Sequence, residues 1–270
     1  MTKDRANNAL RLQWLLLLLS IQTSFNCLSY ASKMEQPIVP RQPIGRVTKL
    51  SRVKIDRQPD TKFYAQPNLN VHADASFRQK LTALYNDRIP DGGVVLDMMS
   101  SHVSHLPPNK KLDRVDVHGM NKEELQANEA RIKTNGKSFV RDLNENPSFL
   151  GICDTGEYDA VLCCVGVQYL EEPEKVFAEV GRILKPDTGL AIVSFTNRFF
   201  YQKALTGWIE RGMGERARLV KDCFRAAGGF DDDAIDILGD GTGLASQLLS
   251  VGGLGGDPYV AVVARRNGEA

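Results

Sequence analysis

Between residues 94 and 195 the chain repeats one pattern, a short and nearly continuous apolar run followed by a longer amphipathic stretch. Apolar runs at 94–98, 114–118, 138–143, 158–165 and 189–195 predict strands, and 234–238 and 259–265 add two more. Stretches 122–131, 172–184 and 201–227 predict helices. Ahead of them, Phe77, Leu81, Leu84 and Tyr85 stand at helical spacing from about Asp74, and Pro90 with Gly92 and Gly93 ends that segment. Strands that are apolar on both sides must be covered on both sides, as happens when helices connect parallel strands. The pattern therefore predicts an α/β fold, a doubly wound, mainly parallel seven-stranded sheet of Rossmann-like type with helices on both faces. Ligands of such sheets bind beyond the carboxyl ends of the strands, so functional side chains belong just after each strand.

With 270 residues, 42% of them hydrophobic, the chain can bury one large core. Its net charge of +1 conceals an asymmetry: residues 1–57 carry 10 Lys/Arg against 3 Asp/Glu, leaving 24 against 30 in residues 58–270. A mildly acidic domain without a basic stripe is unsuited to neutralising phosphates, which argues against nucleic acid as a partner and for a small molecule. The 5 cysteines include no CxxC pair, and no HxxxH or HxxE cluster accompanies the histidines, so neither a disulfide framework nor a metal site is expected. Cys163 and Cys164, adjacent in an apolar run, should point to opposite faces of a strand.

Lys3, Arg5 and Arg11 precede the apolar run 14–21, and Ser29 and Ala31 offer small residues at a peptidase spacing, so residues 1–31 read as a signal peptide. The run falls short of the roughly 20 residues a membrane span needs, so no stable span is expected after processing. Residues 32–57 are basic and acid-poor and read as a disordered, transit-like linker, with 58–270 as the folded domain. A signal peptide followed by such a linker predicts delivery to a plastid through the secretory pathway; the secretory pathway itself and the mitochondrion are the alternatives. The glycine-rich stretch 239–256 lacks the Lys-Ser/Thr pair of a phosphate loop and reads as a flexible connection.

The run VVLDMMSSHVSHLP at 94–107 ends an apolar strand on Asp97. After it come VDVHGMNKEELQANE, FVRDLNENP and YDAVLCCVGVQYLEEPEKVFAEVGRILKPDTGLAIVSFTNRFF, in that order. Together these segments resemble the class I S-adenosylmethionine-dependent methyltransferase superfamily, type 11 members in particular, over roughly residues 63–265. Where that family has glycines that let the backbone approach the cofactor, this chain has Met99, Ser101 and Val103. The resemblance implies S-adenosylmethionine as cofactor. Asp97 would meet the methionine end through its amino group or an ordered water, and Ser100 and Ser101 would offer N–H and hydroxyl groups to the carboxylate at the start of a short helix. Asn121 would stand in for the acid that accepts from the ribose hydroxyls. Asp142 and Leu143 would read the adenine, and Val165, with Gly166 and Val167, would close over the cofactor.

The implied reaction is methyl transfer to a small-molecule acceptor, an in-line displacement in which a general base is optional. Phe63, Tyr64, Gln168, Tyr169, Asn197 and Arg198 would face the acceptor, and His102, His105 or Tyr169 are the candidates for a catalytic role. The absent glycines and Asn121 leave a second reading open, a non-catalytic or cofactor-sensing protein with the same fold. A dinucleotide-dependent oxidoreductase would need GxGxxG after the first strand, and Met99, Ser101 and Val103 supply none of it.

Overall fold

A computed structural model describes residues 45–240 and 256–268 of the chain. The elements are α1 (Gly45–Thr48), α2 (Asp60–Phe63), α3 (Ala75–Arg88), β1 (Gly93–Asp97), β2 (Leu112–Gly119), α4 (Lys122–Gln126), α5 (Glu129–Lys133), β3 (Ser138–Val140) and β4 (Ala160–Cys164). Then follow α6 (Pro173–Ile183), β5 (Leu190–Phe195), α7 (Thr206–Ile209), α8 (Met213–Ala227), β6 (Phe230–Gly239) and β7 (Val260–Arg266). The strands form one seven-stranded sheet in the order β3-β2-β1-β4-β5-β7-β6. Pairs from β3 through β5 are parallel, while β7 runs antiparallel to both β5 and β6. The predicted doubly wound, mainly parallel architecture is the one observed.

Alternation along the strands divides the core in two. Leu96, Val161, Cys163 and Val193 pack with Val176, Phe177 and Val180 of α6 and Leu219, Cys223 and Phe224 of α8. Val95, Val117, Leu162 and Ile192 pack on the other side with Phe77, Leu81 and Tyr85 of α3. Cys163 and Cys164 do face opposite sides, and both are free thiols pushed up by burial, Cys164 to about 12. Asp159, just ahead of β4, accepts the Val94 N–H and pairs with Lys185 at 2.8 Å, which fixes the entry to the strand. Among the described residues no helix is long and apolar enough to cross a membrane.

Four sequence expectations give way to the structure. Residues 45–57 are part of the folded domain and not a linker: Val47 and Leu50 are buried in the core, and Arg46 and Arg52 pair with Asp222 and Glu174 at 2.6 and 2.7 Å. Basic residues that look like linker in composition have acidic partners far along the chain. The helix expected over 201–227 is broken into α7 and α8, because the Arg216 guanidinium takes the Trp208 and Ile209 carbonyls at the end of α7. The helix over 122–131 is likewise two, since Asn128 caps α5 by accepting from Arg131 N. No helix follows β1, where Ser100 and Ser101 were expected to begin one. Met99 N–H donates to His118 Nδ1 (3.2 Å) and Ser100 N–H to His118 O (2.7 Å), so the chain runs on along β2, and Pro107-Pro108 bars a later helical turn. The signal-peptide reading falls within residues 1–44 and most of the glycine-rich stretch within 241–255, both outside the described residues.

Candidate cofactor and acceptor cavity

The carboxyl ends of β1 to β4 open into a cavity of about 610 Å³. Its floor is Asp97, the 99–103 loop, His118, Gly119 and Asn121, with Asp142 and Leu143 beyond β3 and Val165 and Gly166 beyond β4. Its roof is the segment from Asp60 to Ala73, which sequence reasoning touched only at Phe63 and Tyr64.

Asp97 is buried at the tip of β1 and receives the Ser100 hydroxyl at 2.5 Å. Among the described residues no Lys or Arg pairs with it. Burial raises its carboxyl to about 7 against the lowering effect of the Ser100 and Ser104 hydroxyls. A carboxylate so placed would be stabilised by an incoming cation. The turn that follows meets its need for positive φ without glycine, since Met99 takes φ 56°. Gly166 is where glycine is indispensable: a Cβ there would come within 2.9 Å of Met99 Cβ and Cys163 Sγ.

His118 holds this floor together, although nothing in a lone histidine within an apolar strand singles it out. Its Nδ1 accepts from Met99 N–H, so Nε2 carries the proton and donates to the Arg141 carbonyl at 3.0 Å. Burial pushes it down to about 4, which keeps the ring neutral. The loops after β1 and β3 are thereby tied through one imidazole. Asn128 adds a second tie, donating to Ser101 O and Ser104 Oγ at 3.0 and 2.9 Å.

Asn121 lines the cavity but is fully engaged. Its Oδ1 accepts from Glu123 N–H and Glu124 N–H as the cap of α4, and its Nδ2 donates to the carbonyls of Tyr64 and Ala65. With both donors and both acceptor sites used, it is not available to ribose hydroxyls. Gly119, the last residue of β2, leaves no side chain there either, because a Cβ would overlap the Ser100 carbonyl. Asp142 is better placed: its Oδ1 accepts only the local Asn144 N–H at 2.9 Å.

Of the residues expected to face the acceptor, Tyr64, Tyr169, Phe63 and Arg198 line the cavity. Gln168 does not; it is 1% exposed, and its Nε2 holds the Val165 carbonyl at 2.9 Å. That bond supports a β-branched residue at φ 52°, a strained conformation at the lip of the site. Asn197 also lies outside the lining, turned to solvent beside Thr196. The Tyr169 hydroxyl accepts Phe200 N–H at 2.9 Å, and Phe63, Tyr64, His72, Tyr169 and Phe200 form one aromatic cluster with ring centroids 5.0 to 6.4 Å apart. Burial raises the Tyr64 phenol well above its ordinary range. His105, at φ 53°, is lowered to about 4 by burial, with Arg78 and His102 adding to it, and His102 Nδ1 lies 3.1 Å from Ser101 Oγ. Neither histidine has a carboxylate partner among the described residues. No cluster of three or more His, Cys, Asp or Glu suited to a metal occurs there either.

The roof is anchored by buried charge. Lys203, fully buried, pairs with Asp56 and Asp60 at 3.1 and 3.2 Å and donates to Gln58 O. Lys54 joins Asp60 at 2.6 Å, and Asn144 Nδ2 links Asp60 to the Tyr169 carbonyl. The cations nearest the cavity are thus already committed, Arg141 to Ser148 O and Arg198 to Asp257 included.

A doubly wound sheet whose last strand is inserted antiparallel, with a roofed cavity at the ends of β1 to β4, defines a methyltransferase-type domain. Residues 96–192, from within β1 to within β5, match the family model described as a methyltransferase domain. Over those residues the chain is similar to that family, and its seven-stranded sheet has the Rossmann-like methyltransferase fold. Among solved structures it is similar to an S-adenosylmethionine-dependent methyltransferase from Mesorhizobium loti, at 14% identity and a TM-score of 0.44 over 68% of this chain and 96% of that one. It is similar also to the [4+2]-cyclase SpnF, at 15% identity and a TM-score of 0.49 over 74% and 89% of the two chains. A third is phosphoethanolamine N-methyltransferase 2 of Haemonchus contortus in complex with S-adenosylmethionine, at 12% identity and a TM-score of 0.48 over 74% and 55%. No curated protein matches the chain in sequence.

Proposed function

We propose that this protein transfers a methyl group from S-adenosylmethionine to a small-molecule acceptor. The observation that carries the reading is Asp97, a buried carboxyl at the tip of β1 that lines the cavity and has no cationic partner among the described residues. It suits the ammonium group of the cofactor's methionine end. Ser101, whose hydroxyl is shared only with His102, and its backbone N–H would serve the carboxylate; Ser100 supports Asp97 instead, since its N–H and hydroxyl are both spent. Asp142 would accept from the adenine amine and Leu143 N–H would donate to a ring nitrogen, while Val165 and Gly166 close the site beside the sulfur. Bound there, the cofactor supplies a methyl group already activated on a sulfonium, so the protein need only hold the acceptor in line and keep water out.

The acceptor would lie under the roof, against Phe63, Tyr64, His72, Tyr169 and Phe200. His102 or His105 could take up an acceptor proton, and Tyr169 can still donate from its hydroxyl. The test is incubation of the folded protein with labelled S-adenosylmethionine and a fractionated cell extract. Label in a product of low mass is expected; label on protein or nucleic acid alone would contradict the reading. We propose as well a plastid address upstream of Val47 and Leu50, whose burial in the core supports leaving residues from 45 onward out of it. A fluorescent reporter carrying residues 1–44 should enter the plastid, and its retention in the secretory pathway or the mitochondrion would reject that destination.

A further inference from the structure

Four acidic side chains line the cavity: Asp97 and Asp142 are used in the reading above, Asp60 is bound to Lys54 and Lys203, and Glu124 is left. We infer that Glu124 is the ligand of the cofactor's sugar diol and, through its other oxygen, the latch of the roof; the inference rests on the cofactor reading of the preceding section. The sheet order settles where the sugar must lie. Adenine beyond β3, at Asp142, and a methionine end at Asp97 of β1 leave the carboxyl end of β2 between them, so the ribose passes over it. A buried vicinal diol brings two O–H donors that need acceptors there.

The groups at that place can be taken in turn. Both nitrogens of His118 are bonded, to Met99 N–H and the Arg141 carbonyl. Gly119 has no side chain and no room for one. Asn121 has spent its two donors and two acceptor sites. Glu124, in the first turn of α4, lines the cavity with its charge unpaired by any Lys or Arg among the described residues. Its Oε1 accepts Asn68 N–H of the roof at 2.7 Å, and among the described residues its Oε2 has no hydrogen-bond donor. One carboxylate can thus accept from the sugar on one oxygen while it holds the roof with the other. The acid commonly set at the end of the second strand is here moved one helical turn onward, which compensates for Gly119 and the committed Asn121.

Competition calorimetry against S-adenosylhomocysteine tests this, with adenosine and 2′,3′-dideoxyadenosine as the probes. In the unaltered protein adenosine should compete about tenfold better than its dideoxy counterpart, as a charge-assisted pair of hydrogen bonds would give. Glu124→Ala should abolish that preference and weaken both nucleosides, adenosine the more, because the Asn68 N–H of the roof loses its acceptor as well, whereas Glu124→Gln, which keeps an oxygen for that N–H, should reduce the preference with the dideoxynucleoside binding as before. A preference that survives in Glu124→Ala, or equal losses for the two nucleosides, overturns the assignment, the second because it would mean that Glu124 acts through the roof alone. Failure of the unaltered protein to bind S-adenosylhomocysteine would overturn the cofactor reading itself, and is distinguished by that first titration.

Discussion

Asp97 is held as a carboxyl in conflict with its surroundings, and that conflict has a signature in pH. With its folded value raised to about 7 from 3.8, the native state binds more protons than the unfolded chain between those limits, so its contribution to stability falls as pH rises from 4 to 7. His118 and His105, both lowered to about 4, act in the opposite sense, since their contribution is lost as pH falls below 6.5. Asp97→Asn separates the two. Thermal melts should show little gain over the unaltered protein at pH 4 and a gain approaching ~4 kcal/mol at pH 8, the upper bound that a shift of this size allows. The same variant should bind cofactor less well, a trade of stability for function. Asp142→Ala, by contrast, removes a carboxylate with a single local bond, so it should leave the melting temperature nearly unchanged and weaken S-adenosylhomocysteine about tenfold, as read by calorimetry. Asp97, Asp142 and Leu143 were legible through the family resemblance, within the runs 94–98 and 138–143, and all three line the cavity. Asn121 was misjudged because nothing in sequence shows that a polar side chain's bonds are already spent, and His118 and Glu124 were missed because their roles lie in contacts with the loop after β1 and with the roof.

At the scale of elements, apolar runs located all seven strands, since strands covered on both faces are largely apolar; the fit is loosest at β6, where Asp231 to Asp233, next to its first residue, are exposed and polar. What the pattern could not show was where helices break. Asn128 and Arg216 interrupt theirs by bonding backbone groups, and a helical repeat of apolar residues continues across such interruptions unmarked. Asn128→Ala removes the cap of α5 and leaves the Ser101 carbonyl and the buried Ser104 hydroxyl without their donor. A loss of about 2 kcal/mol in denaturant unfolding is expected; a loss below about 0.5 kcal/mol would show that the β1 loop does not depend on this tie. The loop itself shows why the missing glycines are compatible with the fold: Met99 accepts the left-handed turn, and hydrogen bonds to His118 replace the helix.

For the whole molecule, the segment from Gly45 to Ala73 decides whether the cavity is a roofed site or an open groove. Composition marks its first part as linker, yet Lys54, Asp56, Asp60 and Lys203 join it to the rest through buried ion pairs that appear only once distant residues meet. Removing one partner of such a network leaves buried charge uncompensated, so Lys203→Met should cost ~3–5 kcal/mol in unfolding. Chain lengths test the same point. A protein beginning at residue 45 should melt like the full chain, whereas one beginning at residue 58 should melt at a lower temperature and be cut by protease between Phe63 and Ala73; identical melting of the two would return those residues to the linker.

The most direct measurement is calorimetric titration of the folded protein, at pH 8, with S-adenosylmethionine and with S-adenosylhomocysteine. Saturable one-to-one binding of both is predicted, weakened in Asp97→Asn. A correctly folded protein that binds neither would contradict the assignment of this cavity to the cofactor, and would leave the methyltransferase fold serving some other purpose.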